Sequence, residues 1–278
     1  MPAYEFTIVV FCVATTAGLV GALTGLGGGV IVTPALTLLL GVDIRYAIGA
    51  SLVSVIATSS GAAAAYVRDG LSNIRIGMFL ELATTVGAIC GALLASRIPT
   101  KVLAVIFGLV LLHSAWQTSQ MRKETGIAVN SSPLAHRLKL NGVYRTRTGS
   151  IPYSVSHPAP GFGLMYIAGM LSGLLGIGSG ALKVIAMDRI MGIPFKVSTA
   201  TSSFMIGVTG VASAAIYLKR GYIHPVIALP VMLGVLAGSM AGARLLPRLP
   251  VPLLRRLFAI VVGVIALQMI IEGLRGKV

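Results

Sequence analysis

Two glycine clusters set inside apolar runs constrain this chain more than any other feature. They are Gly25-Leu26-Gly27-Gly28-Gly29 and, 151 residues later, Gly176-Ile177-Gly178-Ser179-Gly180. A helix should continue unbroken through such surroundings. In lipid, a broken helix leaves N–H and C=O groups that cost several kcal/mol each unless protein or an aqueous cavity satisfies them. A break kept twice at matching positions is therefore a candidate binding feature. The simpler use of such glycines is tight helix packing.

Composition agrees with a membrane setting. Only 10% of the 278 residues are charged, 56% are hydrophobic, and the mean hydropathy is +0.93; a soluble domain carries about 25% charged residues. Several nearly uncharged stretches of about 20 residues are each long enough to cross ~30 Å of hydrocarbon. The fold class is an all-α polytopic membrane protein in a lipid bilayer. The net charge of +15 does not argue for nucleic acid, because Lys and Arg lie between the apolar segments, as the positive-inside rule expects of membrane loops. No nucleic-acid partner is expected. The first apolar run lacks a positive leading region and continues into the glycine cluster, so a cleavable signal peptide is not expected either. Cys12 and Cys90 read as small packing residues within apolar helices, with no disulfide framework, metal site or cofactor implied.

Taken in order, the first segment runs over 6–23, meets the glycines and resumes over 30–40; further segments cover 46–67, 74–95 and 102–117. A polar, basic linker follows over 118–160, and the pattern then recurs as 161–175, a break, 181–191, 197–218, 225–246 and 253–271. The chain thus divides into a membrane repeat over 1–117, the linker, and a second repeat over 161–278. At the constant spacing of 151, Gly25, Gly27, Gly29, Gly41 and Gly70 pair with Gly176, Gly178, Gly180, Gly192 and Gly221. Tyr66 pairs with Tyr217, and Arg97 and Pro99 with Arg248 and Pro250. These are boundary and break residues, which argues for a duplicated four-segment unit more strongly than matched leucines would.

Residues 6–40 are too long for one straight span, since about 35 residues at 1.5 Å rise make roughly 52 Å. They are short for two, and suggest a re-entrant hairpin that returns to its starting side. Each half then makes an odd number of crossings and the halves are inverted. With the linker placed on the cytoplasmic side, inversion gathers more of the loop Lys and Arg there than a parallel arrangement does. The linker has one local signal: Asn141-Gly142 between Leu138–Leu140 and Val143–Arg145 reads as a hairpin with a type I′ turn, with a disordered basic loop as the alternative.

Broken helices at corresponding positions of two membrane repeats point to a transporter's substrate site. After Gly27, Gly28 and Gly29, and again after Gly178, Ser179 and Gly180, the chain turns sharply and a helix begins whose first N–H groups and positive dipole end attract anions. Lys183 lies three residues past the second break, where the first repeat has Val32. A cation at a helix N-terminus and at membrane depth is costly; it is tolerated beside an anion, or by snorkelling to an interface. Hydroxyls gather downstream at Ser198, Thr199, Thr201, Ser202 and Ser203. Thr201 and Ser202 are the candidates for hydrogen bonding to an oxyanion, and Ser51 is the counterpart of Ser202. Glu81, well inside a segment, is a candidate for proton coupling; its counterpart is Met232. Arg97 and Arg248 close segments ahead of Pro99 and Pro250, where they read as anchors or as gates of an anion vestibule.

Together these features resemble the TauE/SafE sulfite exporter-like family of permeases over about residues 5–272. The resemblance rests on Gly18–Gly29 with Thr33-Pro34, on Gly169–Gly180, and on Ala50-Ser51-Leu52 and Thr201-Ser202-Ser203. It implies a bacterial-type inner-membrane transporter of small sulfur-containing oxyanions such as sulfite, sulfoacetate or other organosulfonates, and no enzyme activity. The second repeat departs from the pattern by carrying Ser179 and Lys183 and by lacking a counterpart of Pro34. An anion channel using the same helix ends is the alternative, and an intramembrane hydrolase built on Ser179 lacks a histidine at depth. Direction of transport, coupling ion and oligomeric state are not encoded legibly.

Overall fold

The structure, a computed structural model, describes residues 3–24, 27–119, 132–146, 149–245 and 249–275. Gly25, Leu26, Arg248 and the central part of the linker lie outside the described residues. The first half comprises α1 (Ala3–Thr24), α2 (Gly29–Pro34) continuing into a π turn (Ala35–Leu39), α3 (Ile44–Arg68), α4 (Ile74–Ala95) and α5 (Thr100–Ser119). The linker contributes α6 (Pro133–Arg137) and the strands β1 (Gly142–Thr146) and β2 (Gly149–Tyr153). The second half comprises α7 (Pro158–Leu175), α8 (Gly180–Ile185) with its π turn (Ala186–Ile190), α9 (Phe195–Lys219), α10 (Pro225–Leu245) and α11 (Val251–Arg275). Six of the described helices are long and apolar enough to cross a membrane.

Local chemistry recurs at the spacing of 151. α3 ends where Gly70 takes φ +68° and the N–H of Leu71 reaches back to Tyr66 O; α9 ends where Gly221 takes φ +74° and Tyr222 N–H reaches Tyr217 O. These are Schellman closures, which favour glycine at the left-handed position. The π turn also recurs, with Ile185 where the first half has Pro34, so proline is not its cause. Tyr66 donates from its hydroxyl to Ala22 O at 2.8 Å, and Tyr217 to Gly173 O at 3.3 Å. Ala22 and Gly173 are again 151 apart.

α1 and α2 fold back on one another. A small apolar cavity brings Val9, Val10 and Val13 of α1 beside Leu36, Leu39 and Leu40, while Gly21, near the other end of α1, abuts Gly27 and Gly28. The central helices α3 and α9 run antiparallel: Ser59 Oγ donates to Phe204 O at 3.2 Å, Val55 lies against Gly210, and Gly49 against the backbone of Tyr222. α1 lies along α10 in the same direction, with Gly234, Gly238 and Gly242 of α10 against Phe11, Thr15 and Leu19. α7 lies along α4 likewise, Gly87 and Gly91 meeting Tyr166 and Met170. In these seams a Cβ would strike the neighbouring backbone, so glycine sets how closely the helices approach.

α4 shows how the helices divide lipid from protein. Met78, Leu82, Val86, Ile89 and Leu93 form an exposed apolar stripe, while Gly77, Leu80, Glu81, Thr84, Gly87 and Ala88 are buried. Such an apolar exterior suits a bilayer, and it places Glu81 inward.

In the linker the hairpin forms with a different register from the one expected. Strand β1 begins at Gly142 and pairs antiparallel with β2, Tyr144 opposite Ile151. Leu138–Leu140 instead close α6: Lys139 takes φ +52°, its N–H bonds His136 O, and Leu140 N–H bonds Ala135 O. Asn141 Oδ1 accepts from Val155 N–H at 2.9 Å, which keeps it out of a turn. The hairpin docks on the α3–α4 connection, where the Asn73 side-chain amide donates to Tyr153 Oη at 2.8 Å and to Leu140 O at 3.3 Å. Burial of Tyr153 pushes its phenol above the ordinary tyrosine range.

Candidate functional site

The two breaks meet in the interior. Gly27 takes φ +75° and Gly178 φ +66°, a conformation that leaves little room for a side chain. Both rest on the same pair of residues. A Cβ on Gly27 would lie 2.7 Å from Ile206 Cδ1 and 3.1 Å from Val55 Cγ1, and one on Gly178 3.2 Å from Val55 Cγ1 and 3.3 Å from Ile206 Cβ. Ser51 joins the breaks directly, its hydroxyl lying 2.7 Å from Gly176 O and 3.1 Å from Gly29 O. Its counterpart Ser202 reaches Gly180 O at 3.4 Å. Gly27–Val30 and Gly176–Gly180 are all buried.

Each break is completed differently. In the first, Gly28 is helical and its N–H donates to Thr58 Oγ1 at 3.1 Å. In the second, Ser179 stands in the left-handed region at φ +50°, fully buried, and its hydroxyl has no hydrogen-bond partner among the described residues. A buried hydroxyl without a partner costs roughly 1–3 kcal/mol.

Lys183 lies one turn past Ser179, and its backbone N–H bonds Ser179 O at 3.0 Å. It is fully buried and does not snorkel. Its ammonium donates to Thr209 Oγ1 at 2.5 Å and lies 3.6 Å from Glu81 Oε2. Thr209 in turn donates to Glu81 Oε1 at 2.6 Å, and Thr85 donates to the same oxygen at 3.0 Å. Glu81 Oε2 accepts no hydrogen bond from any described residue. The two costly intramembrane charges, considered separately in the sequence, are thus one ion pair that joins α4 of the first half to α8 of the second.

The remaining expected residues fall elsewhere. Thr201 faces the α3–α4 connection, where its hydroxyl accepts from Asn73 N–H at 3.0 Å, and is not directed at Gly180. Arg97 is exposed in the α4–α5 connection, and Arg248 lies outside the described residues. Reading from the sequence missed Thr209, Thr58, Val55 and Ile206. The signal was present: Thr58 and Thr209, and Val55 and Ile206, are two more pairs at the spacing of 151. No group of three or more His, Cys, Asp or Glu able to hold a metal occurs among the described residues.

The sequence profile described as sulfite exporter TauE/SafE matches residues 10–269. The probable membrane transporter protein YunE of Bacillus subtilis is 28% identical, with 96% of this chain and 98% of that protein aligned. The probable membrane transporter protein YdhB of the same organism is 26% identical over 87% and 90% of the two chains. The probable membrane transporter protein MJ0441 of Methanocaldococcus jannaschii is 25% identical over 91% of each. No solved structure matches the chain.

Proposed function

This chain belongs to the sulfite exporter TauE/SafE family, hence is a membrane transporter and not an enzyme, and on that premise we propose that it carries small sulfur-containing oxyanions by alternating access. The observation that carries the reading is the meeting of the two breaks at Ser51, with the buried cation Lys183 one turn beyond the second. Sulfite or a sulfonate presents several oxygens around one sulfur. Such a head group suits a site with an ammonium, the unsatisfied hydroxyl of Ser179, and the positive helix starts at Gly29 and Gly180. Ser51 and Ser202 hold the carbonyls around it. Because Thr201 is engaged with Asn73, we assign it to support of the α3–α4 connection.

We further infer that the two halves are inverted copies. Equivalent helices α3 and α9 run antiparallel, as an axis in the membrane plane requires. An axis along the membrane normal would make them parallel. The linker, on the end of the molecule that holds the α3–α4 connection, would then lie on the Lys/Arg-rich cytoplasmic face of a bacterial-type inner membrane. Alternating access follows if one half rocks on the other about Val55 and Ile206, exposing the breaks to each side in turn. Burial of both breaks favours a carrier over an open channel.

The test is uptake by proteoliposomes containing the purified protein, offered sulfite, sulfoacetate, taurine, sulfate and nitrate. Saturable uptake with counterflow of one or more sulfur oxyanions is expected, lost in Lys183→Met. Currents that rise linearly with voltage and show no exchange would replace the carrier by a channel. Transport confined to nitrate would remove the sulfur assignment.

A further inference from the structure

The Lys183–Glu81 pair has a built-in asymmetry that the transport reading does not use. One carboxylate oxygen, Oε1, is held by Thr85 at 3.0 Å and Thr209 at 2.6 Å, whereas Oε2 faces Lys183 at 3.6 Å without a hydrogen bond. Charge-assisted bonds between ammonium and carboxylate are about 2.7–2.9 Å long. The ion pair is therefore loose where it could part and firm where the carboxyl is anchored. Thr209 is also free to turn, since Met205 O lies 3.1 Å from its hydroxyl as a second acceptor.

We propose that an arriving anion takes Lys183 over from Glu81, and that Glu81 then takes one proton on Oε2, so that each anion travels with one proton. This rests on the anion-carrier reading above and adds its coupling ion. The charge count requires it. With Glu81 ionised, the buried site is neutral, and an anion would leave net negative charge where the dielectric is low and Coulomb energies are large. Protonation removes that excess. When the anion leaves, an unpaired buried ammonium is costly, so Glu81 releases its proton and closes on Lys183 again. During the bound phase Thr209 gives its proton to Met205 O and still accepts from Lys183.

Among the described residues of the neighbouring elements no other charged group competes for this role; on α5, Lys101 and His113 are exposed. α7, packed on α4, carries no Asp, Glu, Lys, Arg or His, and its Tyr166 lies beside Cys90. On α9, Lys196 and Lys219 are in the first and last turns, and Tyr217 bonds Gly173 O and Leu174 O. On α4 itself Arg75 is exposed at the helix start. Asp188 and Arg189 sit half-buried in the π turn beyond α8. The mirrored positions hold Val32 in the first half and Met232 in the second, so the device exists once.

The experiment is calorimetric binding of methanesulfonate, a monoanion at every pH used, to the purified protein in Tris and in triethanolamine, two cationic buffers with different ionisation heats, across pH 6.5 to 8.5. For the wild type, the difference between buffers should report about one proton taken up per anion, and affinity should fall about tenfold per pH unit as pH rises. Glu81→Gln should bind with the same heat in both buffers and with an affinity independent of pH. Its thermal transition should rise more with methanesulfonate than that of the wild type, which also verifies that it folds. Wild-type binding without buffer dependence, or a Glu81→Gln protein that still takes up a proton, overturns the proposal. A wild type that binds no sulfur oxyanion fails at the earlier step, and the carrier reading falls with it.

Discussion

The two halves share a scaffold and differ in charge. Around the first break stand Gly28, Val32 and Thr58; at the same places around the second stand Ser179, Lys183 and Thr209. Thr58 accepts from the break's own N–H, while Thr209 links an ammonium to a carboxylate. The partner of Lys183 comes from the other half, and so does the partner of Val32. Met232, the counterpart of Glu81, packs on the apolar cluster that contains Val32. The two facing breaks are thus alike at Gly27 and Gly178, both left-handed, but not at Gly28 and Ser179, and only one diagonal of the resulting square carries ions. On the carrier reading proposed above, a symmetric scaffold moves between two equivalent states, and the single charged diagonal is its one place to hold an anion.

The largest effects should come from breaking that diagonal. Lys183→Met or Glu81→Gln leaves one buried group without its counter-charge, a loss of about 3–5 kcal/mol. The double substitution should recover most of it. Met232→Leu, on the apolar diagonal, conserves volume and should cost less than about 1.5 kcal/mol. Thermal unfolding of the four proteins in one detergent reads all of these. If the two single losses simply add in the double substitution, the side chains are not coupled and the contrast between the diagonals fails.

Ser51 and Ser202 provide the next contrast. Ser51→Ala removes a hydroxyl that joins the breaks and strands buried carbonyls at Gly29 and Gly176, for about 1–3 kcal/mol. Ser202→Ala loses a bond to Gly180 O that is longer, at 3.4 Å, and should cost no more than Ser51→Ala. A Ser51→Ala loss below about 0.5 kcal/mol would mean that the breaks are held together by Val55 and Ile206 and not by Ser51.

Much of this scaffold could be read from the residues, because backbone geometry dictated them. Positive φ at Gly27, Gly41 and Gly70, and at Gly178, Gly192 and Gly221, selects glycine in both copies, so the pairs survive in the sequence. Tyr66 and Tyr217 match because each hydroxyl reaches an equivalent carbonyl. The ion pair was not legible. Glu81 and Lys183 come from different halves, and no helical periodicity connects them. Thr209 looked like one of many small residues in α9. The hairpin register was misjudged for a local reason, since Asn-Gly is a turn signal, but Asn141 is occupied by Val155 and Lys139 accepts the left-handed position. Thr201 stood out as part of a hydroxyl cluster, yet a helix turns by about 100° per residue, and it faces α4 while its neighbour Ser202 faces α8.

The smallest effects separate the halves at their rims. Arg220, at the end of α9, donates to Ala92 O at 2.8 Å and Leu93 O at 3.4 Å and so ties the end of α4 to the second half. The residue 151 earlier is Asp69, which makes only an exposed contact with Arg68 at 3.4 Å. Arg220→Ala should therefore cost about 1 kcal/mol, through loss of helix-end carbonyl partners. Asp69→Ala and Arg97→Ala, both at exposed positions, should stay within about 0.5 kcal/mol. Transport by Arg97→Ala sharpens the reading further. An arginine that gates an anion vestibule should change the apparent affinity for sulfoacetate more at low salt than at high salt, whereas one that only terminates α4 should leave affinity unchanged at both. The exposed position of Arg97, away from the breaks, leads us to expect no change.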